Sequence, residues 1–353
     1  MGVALVLGLL RACRDAGVAL YPETRVTRIR RDDGGRVSGV DTADGSFDAR
    51  AVVLAAGGFE WDTDLVVAHL AGPLAYPASP PVNRGDGLRL AAAAGAQLAR
   101  LGESWAWPVT VSADATWGGD PQSPRASLVM SERTLPHVIW VNAAGQRFVN
   151  ESSHNCALAF AEVDPGGHRL RNQPAWAVGD AQFRARYPVG GIPPGAPAPD
   201  WLAQGDTLAD VAKVAGIDPD RLAATVQRFN EFVAGGVDRD FHRGESAYDR
   251  RLGDFRTPHP SLGSIERPPF FALPIHAGAV GTKGGARTDE RARVLDWAGE
   301  PIPGLYAAGN TMAATFGPGT IAAGLTLGCA MTWGWIAGTD AAKGAAGGAE
   351  LTS

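Results

Sequence analysis

The 353-residue chain reads as an α/β protein whose main domain is split by an inserted α+β domain. Three observations predict this. Ala51-Val52-Val53-Leu54-Ala55-Ala56 is an unbroken apolar run ending in Gly57-Gly58, the pattern of a strand covered on both faces of a parallel sheet. From about Trp117 to Gly281 the texture changes to Pro, Trp and polar residues, and after Gly281 a glycine-rich α/β texture returns. The expected parts are 1–116 and 283–353 for the split domain and 117–282 for the insert.

Taken in order, Met1 to Asp15 reads as an amphipathic helix, because the apolar start lacks a basic n-region and runs straight into Arg11-Ala12-Cys13-Arg14-Asp15. Thr24 to Arg30 and Arg36 to Thr42 form a hairpin about Asp32-Asp33-Gly34-Gly35. Gly85-Asp86-Gly87 opens a helix over Leu88 to Leu101, where an aspartate is ordinarily a cap. Val138-Ile139-Trp140-Val141 reads as a strand, Leu208 to Val233 as helical segments, and the Pro-rich 190–199 stretch as a surface loop. Residues 301–339 carry no charge, yet Pro318 and repeated glycines interrupt them, so a buried helix over Ile321 to Gly338 is expected rather than a bilayer span. The Ala/Gly-rich tail from Ala341 is expected to fray.

Composition narrows the function classes. With 45% hydrophobic residues the chain is neither disordered nor collagenous. Its 32 Lys+Arg against 37 Asp+Glu, a net charge of −5 with no long basic run, predict no nucleic-acid partner and no attraction to anionic membrane. Cys13, Cys156 and Cys329 lie far apart in no metal spacing, which predicts a reducing, cytoplasmic setting and no metal site.

Four segments carry a joint signal: Val52-Val53-Leu54-Ala55-Ala56-Gly57-Gly58-Phe59, Val141 to Glu151 (VNAAGQRFVNE), Gly281-Thr282-Lys283-Gly284-Gly285, and Gly304-Leu305-Tyr306-Ala307-Ala308-Gly309-Asn310. In order and spacing they resemble the fumarate reductase/succinate dehydrogenase flavoprotein superfamily, and within it the 3-ketosteroid dehydrogenase branch. The resemblance implies FAD held by a split, Rossmann-like domain, with a substrate cap domain facing the flavin. It also implies an N-terminally truncated chain, because the family's strand, GxGxxG turn and helix precede the position matched by Met1. Gly317-Pro318-Gly319-Thr320-Ile321-Ala322 imitates that fingerprint, with Asp340 about twenty residues on, but no second strand follows it in sequence.

Reduced flavin is anionic about N1 and the C2 carbonyl, so a helix N-terminus suits it through free amides and positive dipole. The loop ahead of Leu325-Thr326-Leu327 offers such a terminus, although a glycine loop that merely packs on its neighbour is the plainer alternative. The resemblance places Gly309 and Asn310 near the ribityl chain and Ala55, Ala56, Gly57, Gly58 and the Val26 backbone near the adenosine half. Asp86 is either a cap or a flavin contact.

The implied reaction is dehydrogenation or reduction of a C–C bond conjugated to a carbonyl, on a small apolar, ketosteroid-like substrate, with an unidentified electron acceptor. The family assigns base and carbonyl donor to tyrosines; here those positions hold Asn155 and Thr320, while Gly324 matches its glycine donor. His154 is the nearest titratable substitute, against its being an ordinary loop histidine. Arg147 and Glu151 are expected to pair with each other or with backbone and so pin the strand end, and Lys283 to be solvated or structural. A fumarate reductase-like reduction of a carboxylated enoate is the alternative chemistry, for which only His276 and Arg84 remain nearby. Trp105, Trp107 and Trp117 suit an apolar pocket or plain core packing. An inactive truncated product, or a non-catalytic subunit that needs a partner chain, stays open beside the enzyme.

Overall fold

The computed structural model describes residues 2–112 and 115–347, the side chains of 345–347 excepted. Its organising element is the 13-residue strand Phe270–Thr282. The first half pairs antiparallel with Ala175–Gly179, which pairs in turn with Val138–Asn142. The second half pairs antiparallel with Ser104–Thr110 and briefly, in parallel, with Tyr76–Pro77. One strand thus ties segments ahead of residue 117 to those of the 117–282 stretch.

Val138–Asn142 is buried along its whole length. Successive side chains leave opposite faces of a strand, so Val138 and Trp140 meet Phe160, Phe183 and Phe271, while Ile139 and Val141 meet Leu222, Val226 and Phe229. The second face is covered by helices Leu208–Ala215 and Pro219–Gly235. Thr207 and Asp210 form a capping box on the first, Asp218 caps the second ahead of Pro219, and Gly216 and Gly236 close both in left-handed conformation.

The hairpin forms as Val26–Arg31 with Val37–Thr42, and Ser46–Asp48, too short to carry a periodic signal, adds a third strand. Val52–Leu54 pairs in parallel with Pro301–Ala307, whose other side takes Arg293–Leu295. Burial on both faces does not hold there: Leu54 joins an apolar cluster with Ala91, Leu305 and Ala307, but Val53, which points to the opposite face of this edge strand, is 40% exposed.

Three further expectations are corrected. The helix after Gly85 runs Asp86–Ala93, not to Leu101, because Gly95 at φ +85° turns the chain into strand Leu98–Ala99. The helix expected over 321–338 runs Leu325–Gly347, and it is not buried all round. Trp333, Ile336 and Ala337 pack near Tyr306, whereas Leu327, Met331 and Trp335, spaced one turn apart, face outward. The tail therefore stays helical to Gly347, and residues 348–353 lie outside the described ones. Gly2–Asp15 is helical, but none of its residues is buried. No helix among the described residues is long and apolar enough to cross a membrane.

Arg147 and Glu151 do pair, inside a larger buried cluster. Arg147 bonds both Glu151 oxygens at 2.9 Å and Asp238 at 3.0 and 2.9 Å. Arg243 reaches Glu151 at 3.2 Å and the carbonyl of Val138 at 2.7 Å, and the Trp140 amide donates to Glu151 at 3.0 Å. Burial pushes Glu151 up, but Arg147 and Arg243 outweigh it and hold the carboxyl below its ordinary value of 4.5. Since the folded value is the lower one, the stability it contributes is present above about 4.5 and is lost as pH falls through the depressed value. Glu151→Ala leaves two guanidinium groups without their shared partner; a loss of about 3 to 5 kcal/mol is expected in urea unfolding at pH 7, shrinking as the pH is lowered.

Candidate active site

The stretch Gly317–Gly324, between the small sheet and helix Leu325–Gly347, has no regular structure and is held by side chains of two other segments. Lys283, only 1% exposed, donates to the carbonyls of Gly317 (2.5 Å), Pro318 (3.0 Å) and Gly319 (2.7 Å). Three ammonium hydrogens meet three carbonyls, and the charge lies 4.5 Å over the Trp105 ring. Burial pushes this lysine below its ordinary value. The expectation of a structural lysine holds, in buried rather than solvated form. The GxGxxA pattern accordingly turns the carbonyls of residues 317–319 toward a cation, the reverse of a loop that cradles phosphate with its amides.

On the other side, Asn155 grips the Thr320 backbone through both ends of its amide: Oδ1 accepts from the Thr320 amide at 2.7 Å and Nδ2 donates to the Thr320 carbonyl at 3.2 Å. His154 stands beside it, with Nε2 3.0 Å from Thr320 Oγ1 and Nδ1 2.5 Å from the Tyr248 hydroxyl. Burial first, then the Arg133 charge, holds His154 below its ordinary 6.5, so the ring is neutral at pH 7.

Under this loop lies a cavity of about 200 Å³. Trp105, Trp107, Leu128, Met130 and Val280 give it apolar walls, and His154, Thr320, Gly324, Leu325 and Thr326 bring its polar groups and the start of the helix. Asn155 is exposed and not in the wall. Trp117 is elsewhere, under Arg125. His276, stacked edge-on to Tyr76, and Arg84, in a separate cavity, are also outside, so the wall contains no arginine.

The other expected positions gather at the carboxyl ends of the two parallel strands, where open α/β sheets bind ligands. Ala55 and Ala56 are exposed at the end of Val52–Leu54, Gly57 is half-buried and Gly58 buried. The Ala308 amide donates to the Leu54 carbonyl and Thr311 Oγ1 to the Gly57 carbonyl, both at 2.9 Å, which brings Gly309 and Asn310 alongside. The glycine pair is required by the chain itself: a Cβ at Gly57 would stand 2.4 Å from Asn83 Oδ1, and one at Gly58 2.4 Å from Thr282 Oγ1. Asn310 Oδ1 accepts from Trp105 Nε1 at 3.1 Å. Asp86 is not a cap, since Gly85 holds that position without a side-chain bond; it pairs with Arg25, next to Val26, at 2.5 Å. No cluster of metal-binding side chains occurs among the described residues.

Four participants escape sequence reasoning. Tyr248 sits 94 positions from His154, and Arg133, Leu128 and Met130 belong to no motif.

Comparison with known proteins decides the family. The model described as FAD binding domain matches residues 1–327. The chain belongs to this FAD-binding family. Over 98% of its length it is 43% identical to a 4-oxocyclohexanecarboxylate 2-dehydrogenase of Sinomonas cyclohexanicum, and over 98% it is 38% identical to a 3-oxosteroid 1-dehydrogenase of Mycolicibacterium smegmatis. It spans 62% and 63% of those relatives. Among solved structures, the 3-ketosteroid Δ1-dehydrogenase of Sterolibacterium denitrificans, in complex with 1,4-androstadiene-3,17-dione, superposes with a TM-score of 0.86 at 35% identity, over 95% of this chain and 62% of that one. The resemblance to the ketosteroid dehydrogenase branch is borne out.

FAD is the cofactor of this family, and the helix start fits part of it. The amides of Leu325, Thr326 and Leu327 have no intrahelical acceptor, and a Cβ at Gly324, φ +82°, would meet nothing within 4 Å. Donors without an acceptor among the described residues thus border open space at the positive end of a 23-residue helix. Lys283→Met leaves the carbonyls of residues 317–319 without their donor. We expect a stability loss of about 3 kcal/mol in urea and faster hydrogen exchange at the amides of 319–324, with the amides of 138–142 unchanged.

Proposed function

We propose that this chain carries the catalytic site of an FAD-dependent oxidoreductase that dehydrogenates or reduces the C–C bond next to the carbonyl of an apolar cyclic ketone. The observation that carries this reading is the cavity: indole and aliphatic walls, no arginine, and polar groups concentrated at Thr320, His154 and the Gly324 helix start. A carboxylated substrate would need a cationic partner there, whereas a ketone needs only hydrogen-bond donors.

In this reading Trp105 and Trp107 hold the ring, and the Thr320 hydroxyl with the Gly324 amide donates to the carbonyl oxygen. Donors aimed at that oxygen stabilise the charge it gains as the α carbon gives its proton to solvent water in dehydrogenation, or as hydride arrives at the next carbon in reduction, and the helix dipole adds to them. Bound FAD would supply the hydride acceptor or donor for the carbon next to that position. Leu325, Thr326 and Leu327 would hold the flavin through their amides, with Gly309 and Asn310 along its chain and Val26, Ala55 to Gly58 and Asp86 toward its adenosine half. Asn155 positions Thr320 and is not a base, since its amide is committed to the Thr320 backbone. Residues 117–282 would form the cap, supported by a core on both faces of their sheet. Three unpaired cysteines suit an intracellular setting.

Thr320→Val keeps the loop backbone and removes the hydroxyl. With FAD and an artificial electron acceptor, kcat/KM for a cyclohexanone should fall about 10²-fold while flavin retention after desalting is unchanged. Equal turnover by the variant, or none by the flavin-loaded parent, would overturn the reading.

A further inference from the structure

We propose that Arg133, Tyr248 and His154 form a one-way hydrogen-bond relay that holds the Thr320 hydroxyl as a donor into the cavity. The inference rests on the ketone-binding role given to Thr320 above. It follows from counting hydrogens. A guanidinium only donates, and Arg133 Nη2 lies 3.2 Å from the Tyr248 hydroxyl oxygen, so that oxygen accepts. Its single hydrogen has one acceptor among the described contacts, His154 Nδ1 at 2.5 Å.

Nδ1 therefore carries no hydrogen, and the hydrogen of the neutral ring sits on Nε2. Nε2 faces Thr320 Oγ1 at 3.0 Å and donates to it. The threonine hydrogen is left free to point onward, here to the Ala322 carbonyl at 3.2 Å and, with a ketone bound, to the substrate oxygen. The neutral state of His154, set by burial and by Arg133, agrees with this count.

The relay is braced through Arg133 Nη1 and the surrounding rings, while Arg133 Nε is buried with no hydrogen-bond partner among the described residues. Arg133 is fully buried; its Nη1 is fixed on the carbonyls of Ser152 and Ser153 at 3.2 and 2.8 Å, and its charge lies 4.6 Å over Trp107 and 5.8 Å over Tyr248. His154 packs edge-on to both rings, at 5.3 and 5.1 Å.

Its chemistry follows from its direction. As negative charge grows on the substrate oxygen, the hydrogens of Thr320, His154 Nε2 and Tyr248 each shift one place toward the substrate. In the limit, the charge rests on the Tyr248 oxygen beside Arg133, and the set as a whole gives one proton and forms no other bond. His154 is then a donor to the site rather than the base that its position suggests, and Tyr248 and Arg133 are positioning residues acting through it.

The test uses the full chain with ¹⁵N-labelled histidine. Long-range nitrogen–proton spectra should show His154 as the Nε2–H tautomer, and Tyr248→Phe should shift the ring toward Nδ1–H. The same variant should bind 4-nitrophenolate, a ring oxyanion, about tenfold more weakly, with cyclohexanone affinity within about twofold and an unchanged melting temperature. An Nδ1–H ring in the parent, or a Tyr248→Phe chain with parental tautomer and phenolate affinity, overturns the relay. If the parent binds neither probe, the ketone reading fails instead, and the tautomer alone decides the relay.

Discussion

A single ammonium group, Lys283 Nζ, sunk among the carbonyls of Gly317, Pro318 and Gly319, is the constraint on which the rest of the site depends. A glycine- and proline-containing loop has little side-chain packing to define it, and backbone carbonyls turned inward need donors. Lys283 supplies three at once from the end of the longest strand, so the loop is fixed relative to the sheet. Trp105 joins in from two directions, lying under the ammonium and donating to Asn310. The same indole forms part of the cavity wall, which couples the loop, the end of the parallel strands and the pocket through one side chain.

The opposite anchor has a different physical basis. Asn155 and His154 follow directly on the buried cluster of Arg147, Glu151, Asp238 and Arg243, where the attraction of opposite charges is combined with hydrogen bonds to the Val138 carbonyl and the Trp140 amide. Such a cluster adds little net stability over an apolar core, but removal of any one member is costly. It fixes the direction in which the chain leaves Val138–Asn142 and so determines where His154 and Asn155 meet Thr320. The cavity is therefore closed between two rigid elements, a strand carrying Lys283 and a charge-pinned turn, rather than by the loop's own preferences.

Much of this was legible in the sequence, for reasons that can be named. The strand at 138–141 reads from its apolar run, helical segments are expected over 208–233, and Thr320 and Gly324 from the resemblance, with His154 as neighbour of a replaced tyrosine, are the expected site residues that share one wall. What failed depends on contacts between distant segments. The apolar character of 51–56 does not disclose that Val52–Leu54 is an edge strand. The uncharged 301–339 stretch does not disclose that Trp335 faces outward. Asp86 reads as a cap, yet Gly85 takes that position and Asp86 pairs with Arg25, just ahead of the strand Val26–Arg31. Tyr248 and Arg133 reach His154 only through folding of the 117–282 stretch, and no spacing rule connects them.

The account turns on the proposal that the Thr320 hydroxyl and the Gly324 amide donate to a substrate carbonyl. The most direct measurement is the infrared difference spectrum of carbonyl-¹³C-labelled cyclohexenone bound to the chain in the presence of FAD. Hydrogen bonds from a desolvated wall weaken the C=O bond more than water does, so the account predicts a bound carbonyl band below its position in water, returning upward in Thr320→Val. A bound carbonyl that absorbs at or above its position in water would contradict it.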